Sequence, residues 1–473
     1  MVAFTGPAMS KRFLIGFLLL LLLLPGCRTY YQRQQEFHEH FRSGQMEQAA
    51  RTLQQDKRSA KNRNRLLHLL NQGVVHHMLQ DYHASNQFFE EAFILGEDYR
   101  KDYLDEALAL ITNPNITEYR GEHFELLMVH YYKAMNFIHL GDFDAALVEC
   151  RRMNIKLAEL ADRHQSNNRY RRDAFVHNLM GIIYDASGDY NNAFIAYRNA
   201  FEIYQEDYSS LFGVQVPGQL KKDLVRTAYL SGFRDMGRQY EDLFGMRYDH
   251  GRDARQGELV FFWQNGLGPV KEEWSINFTL VRGAGGVVQF VNEDMGLSFP
   301  FPVSERASGD LGDLRVVRVA FPRFSERRPV YTSARLKTGG QANPLYLAQD
   351  INAIAFKSLE DRMLRQMGSA LLRLAAKQAA EQSLRRQNEN LGAILGLLGA
   401  ATEQADTRNW QTLPYAIHYT RMELPEGRHD LSLELMLPNG NVASTLHLEA
   451  DIRPGRTTFI NFHTLDARRP GAR

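Results

Sequence analysis

Residues 181–200 read Gly-Ile-Ile-Tyr-Asp-Ala-Ser-Gly-Asp-Tyr-Asn-Asn-Ala-Phe-Ile-Ala-Tyr-Arg-Asn-Ala. A small residue, Gly181, is followed by a ring at Tyr184 and a turn at Gly188-Asp189-Tyr190. Small, large and small side chains follow at Ala193, Tyr197 and Ala200. Apolar residues recur at helical spacing on both sides of the Gly-Asp break, and the Asp suits the N-cap of the second helix. The same register occurs twice upstream. One copy is Gly73, His76, Gln80-Asp81-Tyr82, Ser85, Phe89, Ala92; the other is Ala134, Phe137, Gly141-Asp142-Phe143, Ala146, Cys150, Met153. A weaker copy is Phe37, Gly44-Gln45-Met46, Ala49, Leu53, and a last one falls in 220–245. The turns at 44 and 80 are close to tandem, whereas those at 141 and 188 come later than the about 34 residues of a regular array. Inserted segments around Pro114 and around 164–172 fill the difference.

This register resembles the tetratricopeptide repeat, in which small residues let paired helices approach and aromatic wedges fill the gaps. The resemblance implies an irregular α-solenoid over 27–250. Solenoids present concave surfaces that bind extended peptides. The inner positions are Met128, Tyr131, Met135 and Ile138 in one copy and Phe175, Asn178, Ile182 and Asp185 in the next. They predict an apolar, aromatic peptide groove with no Lys/Asn/Arg clamp for a terminal carboxylate.

Beyond residue 257 the period changes. Segments 258–264, 274–281, 286–291 and 314–321 are short, rich in Val, Phe and Trp, and bounded by Gly, Pro and Asn, which predicts antiparallel strands. Val317, Val319 and Phe321 alternate with Val316, Arg318 and Ala320, so one face of that strand is expected to be wet. Segment 346–405 turns helical. Its second piece, 391–401, is apolar and Gly-rich but too short to span a membrane. Strands resume at 414–423, 427–437, 442–452 and 456–465, with hairpins expected at Pro425-Glu426-Gly427 and at Asn439-Gly440. The fold class expected is α+β: an irregular tetratricopeptide-like solenoid, then a β-sandwich-like domain (257–345 and 406–466) with a helical insertion at 346–405.

At the N-terminus, Lys11-Arg12 precede an apolar run from Phe13 to Leu24, which ends in Pro25-Gly26-Cys27. The run is shorter than the about 20 residues of a spanning helix and has the charged and apolar parts of a secretory signal. Leu24-Pro25-Gly26-Cys27 resembles a bacterial lipobox, with Pro25 a departure from the usual small residue. The resemblance implies cleavage between Gly26 and Cys27 over a 1–26 signal peptide, or one starting at Met9, and diacylglycerol on Cys27. Arg28 after the Cys resembles the pattern of lipoproteins passed to the outer membrane, facing the periplasm. Several acyl chains suffice to hold a soluble domain on a bilayer.

Composition narrows the function. The 473 residues carry 56 Lys+Arg and 55 Asp+Glu, a net charge of +1, which argues against nucleic acid as the main partner. A hydrophobic content of 44% excludes a disordered chain, and the 2 cysteines exclude a disulfide scaffold or a four-Cys zinc module. No nucleophile elbow, Walker loop or His-Glu-x-x-His occurs. His76-His77 and Glu272-Glu273 are neighbours that point apart, and Cys150 fills a core slot of a repeat. No catalysis, cofactor or metal is expected. Leu24–Cys27, the repeats, and Asp406-Thr407-Arg408-Asn409-Trp410-Gln411-Thr412-Leu413-Pro414 together resemble bacterial lipoproteins with tetratricopeptide-like repeats. That resemblance implies envelope proteins as partners, those of peptidoglycan synthesis among them. The expected function is a lipid-anchored scaffold for envelope proteins. The alternatives are a cell-wall or glycan-acting enzyme or binding protein with its site in the β half, and a structural subunit of a secretion or surface apparatus.

Overall fold

The computed structural model describes residues 34–61, 63–101, 117–163, 172–249, 255–282, 287–302, 316–387 and 405–467. The signal segment, Gly26, Cys27 and the apolar stretch 391–401 lie outside them.

Helices α1 (Gln35–Arg42), α2 (Met46–Gln55), α3 (Arg65–Met78), α4 (Tyr82–Lys101), α5 (His123–His139), α6 (Phe143–Arg163), α7 (Ala174–Ala186), α8 (Tyr190–Ile203), α9 (Gly218–Leu230) and α10 (Arg234–Phe244) form the first half. They pair in sequence order, each pair joined where the register has its turn. Gly44, Gly141, Gly188 and Gly232 take the left-handed conformation there, and Gln80 takes it at φ 61° in the copy that lacks the glycine. Asp81, Asp142 and Asp189 cap the second helices by accepting from the N–H groups of Ala84, Ala145 and Asn192. The glycines of the register are packing sites. A Cβ on Gly73 would lie 2.5 Å from the Phe89 ring, and one on Gly181 2.4 Å from the Tyr197 ring. In the middle copy these two positions hold Ala134 and Cys150: the small side grows and the large side shrinks.

Strands β1 (Gln256–Asn265), β2 (Val270–Arg282), β3 (Val287–Asn292), β4 (Leu297–Pro302), β5 (Val316–Ser325), β6 (Ser333–Thr338), β7 (Gln341–Pro344) and β8 (Tyr346–Asp350) precede helix α11 (Ile351–Gln387). Strands β9 (Ala416–Pro425), β10 (Gly427–Met436), β11 (Val442–Ile452) and β12 (Thr457–Thr464) follow it. They form three sheets, ordered β12-β1-β9-β8, β11-β10-β6-β7 and β4-β3-β2-β5. The first two face each other: Leu259, Phe261, Trp263, Met422 and Leu424 pack on Leu336, Leu431, Leu433, Leu435 and Ile452. This is the sandwich.

The single interrupted sandwich is corrected in three respects. Strands β2 to β5 leave it and form a sheet of their own, whose apolar face (Ile276, Phe278, Phe290, Val319, Phe321) packs on Met367, Ala370 and Leu371 of α11. In β5 the faces divide as expected, with Val317, Val319 and Phe321 inward and Val316 and Arg318 exposed. Segment 346–350, assigned above to the helical insertion, is strand β8. Pro425-Glu426-Gly427 is a corner and not a hairpin, because β9 and β10 belong to different sheets. Asn439-Gly440 does close a hairpin, with β10 and β11 antiparallel. β12 runs parallel to β1, so the first and last strands of the half close it side by side.

Candidate partner-binding cleft

The other face of the first sheet is buried too, and this decides where a partner can sit. Val260 and Phe262 of β1 and Ile417 and Tyr419 of β9 share one apolar core with the helices. The predicted peptide groove is therefore occupied by the chain itself. Met128, Tyr131, Met135, Ile138, Phe175, Asn178 and Ile182 are all buried. Gln264 Nε2 donates to the Tyr131 hydroxyl at 2.9 Å, and the Tyr419 hydroxyl donates to Asn178 Oδ1 at 3.3 Å. The physical reason is complementarity of two apolar faces, one helical and one of a sheet, each of which would otherwise be wet.

Residues 406–414 strap the halves together. Arg408, held by Asp406, reaches Asn64 Oδ1 at 3.1 Å and the Thr117 carbonyl at 3.2 Å. Asn409 bonds the Pro269 carbonyl and the Lys271 N–H at 2.9 and 3.1 Å. The Trp410 N–H donates to Glu125 at 2.6 Å, its ring packs on Phe89 and Tyr132, and Thr412 bonds Asn71 at 3.0 Å. A second brace is a buried charge cluster: Asp185 of α7, Asp223 and Arg226 of α9, Glu258 of β1 and Arg421 of β9. Burial opposes ionisation of Asp185, but Arg226 and Arg421 outweigh it and hold its carboxyl below the usual range. Burial raises Asp223, and the two arginines offset this only partly. Three carboxylates do converge here, each beside an arginine, in an arrangement that ties helix to sheet.

With the concave face filled, the open surface lies at the rim. β12 is an edge strand of the first sheet, and β11 an edge of the second. Two adjoining hollows of 610 and 570 Å³ run along β12, sharing His139, Glu449, Phe459 and Ile460. The turns of the repeats wall one side, with His77, Tyr82, His139 and Phe143; β11 walls the other, with Leu448 and Glu449. The parallel ladder fixes the direction of the backbone. Glu258 N donates to the Arg456 carbonyl at 2.9 Å and Gly266 N to that of Thr464 at 2.8 Å. Alternate residues of a parallel strand point to opposite sides. Even-numbered residues of β12 thus serve β1, and Thr457, Phe459, Asn461 and His463 direct their N–H and C=O groups outward along the free edge.

A hydrogen-bond relay anchors this edge to the repeats. Asn461 Nδ2 meets His77 Nε2 at 2.8 Å, and His77 Nδ1 meets Asn136 Oδ1 at 2.6 Å. Asn136 Nδ2 donates to Ser85 Oγ at 2.8 Å, and Ser85 to the Gly73 carbonyl at 2.8 Å. Both nitrogens of His77 have the partners of a neutral ring with its proton on Nδ1. Burial lowers its pKa to about 4, against the raising effect of Asn136. Burial likewise takes His139 and His463 to about 4.

The chemistry sought in the sequence falls elsewhere. The Cys150 thiol is buried and pushed well above its ordinary pKa, chiefly by burial. His76 faces Asp81 at 3.3 Å while His77 faces the relay. Glu272 faces Arg323, and Glu273 accepts from the Ala405 N–H. Among the described residues no group of three or more His, Cys, Asp and Glu is placed to hold a metal, and no helix is long and apolar enough to cross a membrane. Sequence reading missed the cleft: it placed a strand at 456–465, but edge position is a property of topology.

No family model matches the sequence, and no curated relative matches it. Solved structures similar to part of it include the MamA protein, at 13% identity and a TM-score of 0.29 over 44% of this chain and 86% of that one. The apo form of RapI is 13% identical, with a TM-score of 0.33 over 48% of this chain and 56% of that one. A Podosopora anserina putative kinesin light chain with nearly identical TPR-like repeats is 13% identical, with a TM-score of 0.30 over 44% and 90%.

Proposed function

We propose that this protein is an interaction scaffold, held at the bacterial outer membrane by lipid on Cys27 and facing the periplasm, which performs no catalysis. It binds an extended segment of an envelope protein as an added strand on the free edge of β12. The observation that carries this reading is the cleft itself: four residues of β12 turn unpaired backbone into a hollow walled by the repeat turns and β11. Strand addition draws affinity from main-chain hydrogen bonds and specificity from the side-chain pockets beside them. The filled concave face supports the same reading, since it leaves the repeats to shape the wall of a rim site.

The test is a photoreactive residue at Thr457 in the full chain, in cells. Adducts with an envelope protein are expected from this site. They are expected to disappear in Phe459→Pro, which removes an outward N–H and leaves the bonds to β1 in place. A folded Phe459→Pro protein with an undiminished adduct yield would exclude strand addition. The anchor has its own test: Cys27→Ala should leave the membrane fraction, and a variant that stays there refutes the tether.

A further inference from the structure

The half of the cleft nearest the end of β12 is chemically lopsided. Gln264 Oε1, Asn461 Oδ1 and His463 Nδ1 are buried and have no hydrogen-bond partner. All three residues line the same hollow. They are also neighbours on one face of the sheet: Gln264 stands opposite His463 in the parallel register, and Asn461 lies two residues before His463. Each remaining polar atom of these side chains is already engaged. Gln264 Nε2 donates to Tyr131, Asn461 Nδ2 to His77, and His463 Nε2 to the Gly266 carbonyl at 2.8 Å.

The Gly266 oxygen can only accept, so His463 carries its proton on Nε2 and offers a lone pair at Nδ1. The amide oxygens of Gln264 and Asn461 are acceptors as well. These three side chains therefore hold three unmade acceptors and no free donor; His139 Nε2, buried and unpartnered in the same hollow, is a fourth unmade atom, an acceptor in the tautomer with its proton on Nδ1. A buried acceptor left unmade carries the full desolvation penalty of that group, so a ligand that brings donors gains at each. The only charged side chain lining this half, among the described residues, is Glu449. The wall adds ring faces: Tyr82 and His139 stack with centroids 4.7 Å apart and planes 4° from parallel. Ring faces attract cations.

We infer that the strand docking on β12 carries a lysine or arginine side chain, whose cationic head enters the hollow at Gln264, Asn461 and His463. This rests on the strand-addition reading and adds the identity of one partner residue. A lysine brings three donors for three acceptors, and its aliphatic stem lies along Phe459 and Tyr82. A neutral apolar side chain would leave the acceptors unmade, and an acidic one would face lone pairs and Glu449.

The experiment is selection of displayed random nonapeptides on the full chain in detergent micelles, run in parallel on Phe459→Pro and His463→Phe. Circular dichroism checks that both variants are folded. Selected peptides are expected to carry Lys or Arg at one fixed position, to be lost on Phe459→Pro, and to lose the basic preference on His463→Phe. Calorimetry on a selected peptide and its Lys→Met twin should show at least a tenfold weaker twin. Peptides that depend on the β12 edge but show no basic preference, or a twin within twofold, overturn the cation pocket and leave strand addition standing. Selection that is indifferent to Phe459→Pro overturns both.

Discussion

At the scale of single residues, the repeats are held by matched sizes across each helix pair. Gly181 and Tyr197 show the limit, since a methyl on Gly181 would meet the ring at 2.4 Å with both helices fixed in the core. Gly181→Ala should therefore destabilise the protein by about 1–3 kcal/mol through overpacking, read as a lower urea midpoint with an unchanged slope. Gln80 offers the opposite case. It holds φ 61° where the other copies use glycine. A left-handed non-glycine residue costs about 1–2 kcal/mol, and glycine loses part of that gain in chain entropy. Gln80→Gly should therefore stabilise the protein by up to about 1 kcal/mol, read as a higher urea midpoint; a lower midpoint would mean that the Gln80 side chain contributes more than its backbone strain removes. Both effects were legible in the sequence, because the register marks which position is small and which copy departs from it.

At the scale of elements, legibility tracks the distance of the contacts. Helix pairs, the Asn439-Gly440 hairpin and the wet and dry faces of β5 depend on neighbours in sequence, and their signals are local. The corner at Pro425-Glu426-Gly427 carries turn residues like a hairpin, yet the chain crosses there from one sheet to the other. Only the packing of Met422 and Leu424 against Leu431 and Leu433 decides between the two. The segment 406–414 was visible as a motif and silent about its role, since its partners Asn64, Asn71, Phe89 and Glu125 lie hundreds of residues away. Trp410 is the test of the strap. Trp410→Ala removes a fully buried ring packed against both Phe89 and Tyr132 and should cost about 3–5 kcal/mol. Because one core spans helices and sheet, the wild-type halves should unfold together by circular dichroism and by tryptophan fluorescence. A variant within about 1 kcal/mol of wild type would show that the strap only lies against the core.

At the scale of the whole molecule, the edge of β12 is the place where helices, both sandwich sheets and the solvent meet, and three histidines from α3, α5 and β12 sit there. His77, His139 and His463 have pKa values lowered from 6.5 to about 4, first by burial, with His77 adding to the shift of the other two. Asn136, Asn461, Tyr82 and Gly266 surround them with neutral groups, and Glu449 is at the rim. The folded state thus binds fewer protons than the unfolded chain between about pH 4 and 6.5. Stability from these groups is fully present above 6.5 and is lost as the pH falls through that window to about 4. Each contributes at most about 3 kcal/mol before solvent screening. The loss should appear first at the cleft, because protonating His77 at Nε2 takes away the acceptor that holds Asn461. Protection of the β12 amides, relative to their intrinsic exchange rates, should therefore fall between pH 6.5 and 4.5, ahead of global unfolding, and strand docking should weaken over the same range. In His77→Gln, whose amide has no charge to gain, the slope of the urea midpoint against pH should be shallower, even though the variant starts from a lower value at pH 7.5. Equal slopes in the two proteins would mean that the relay does not couple the edge strand to the repeats, and that β12 is held by β1 alone.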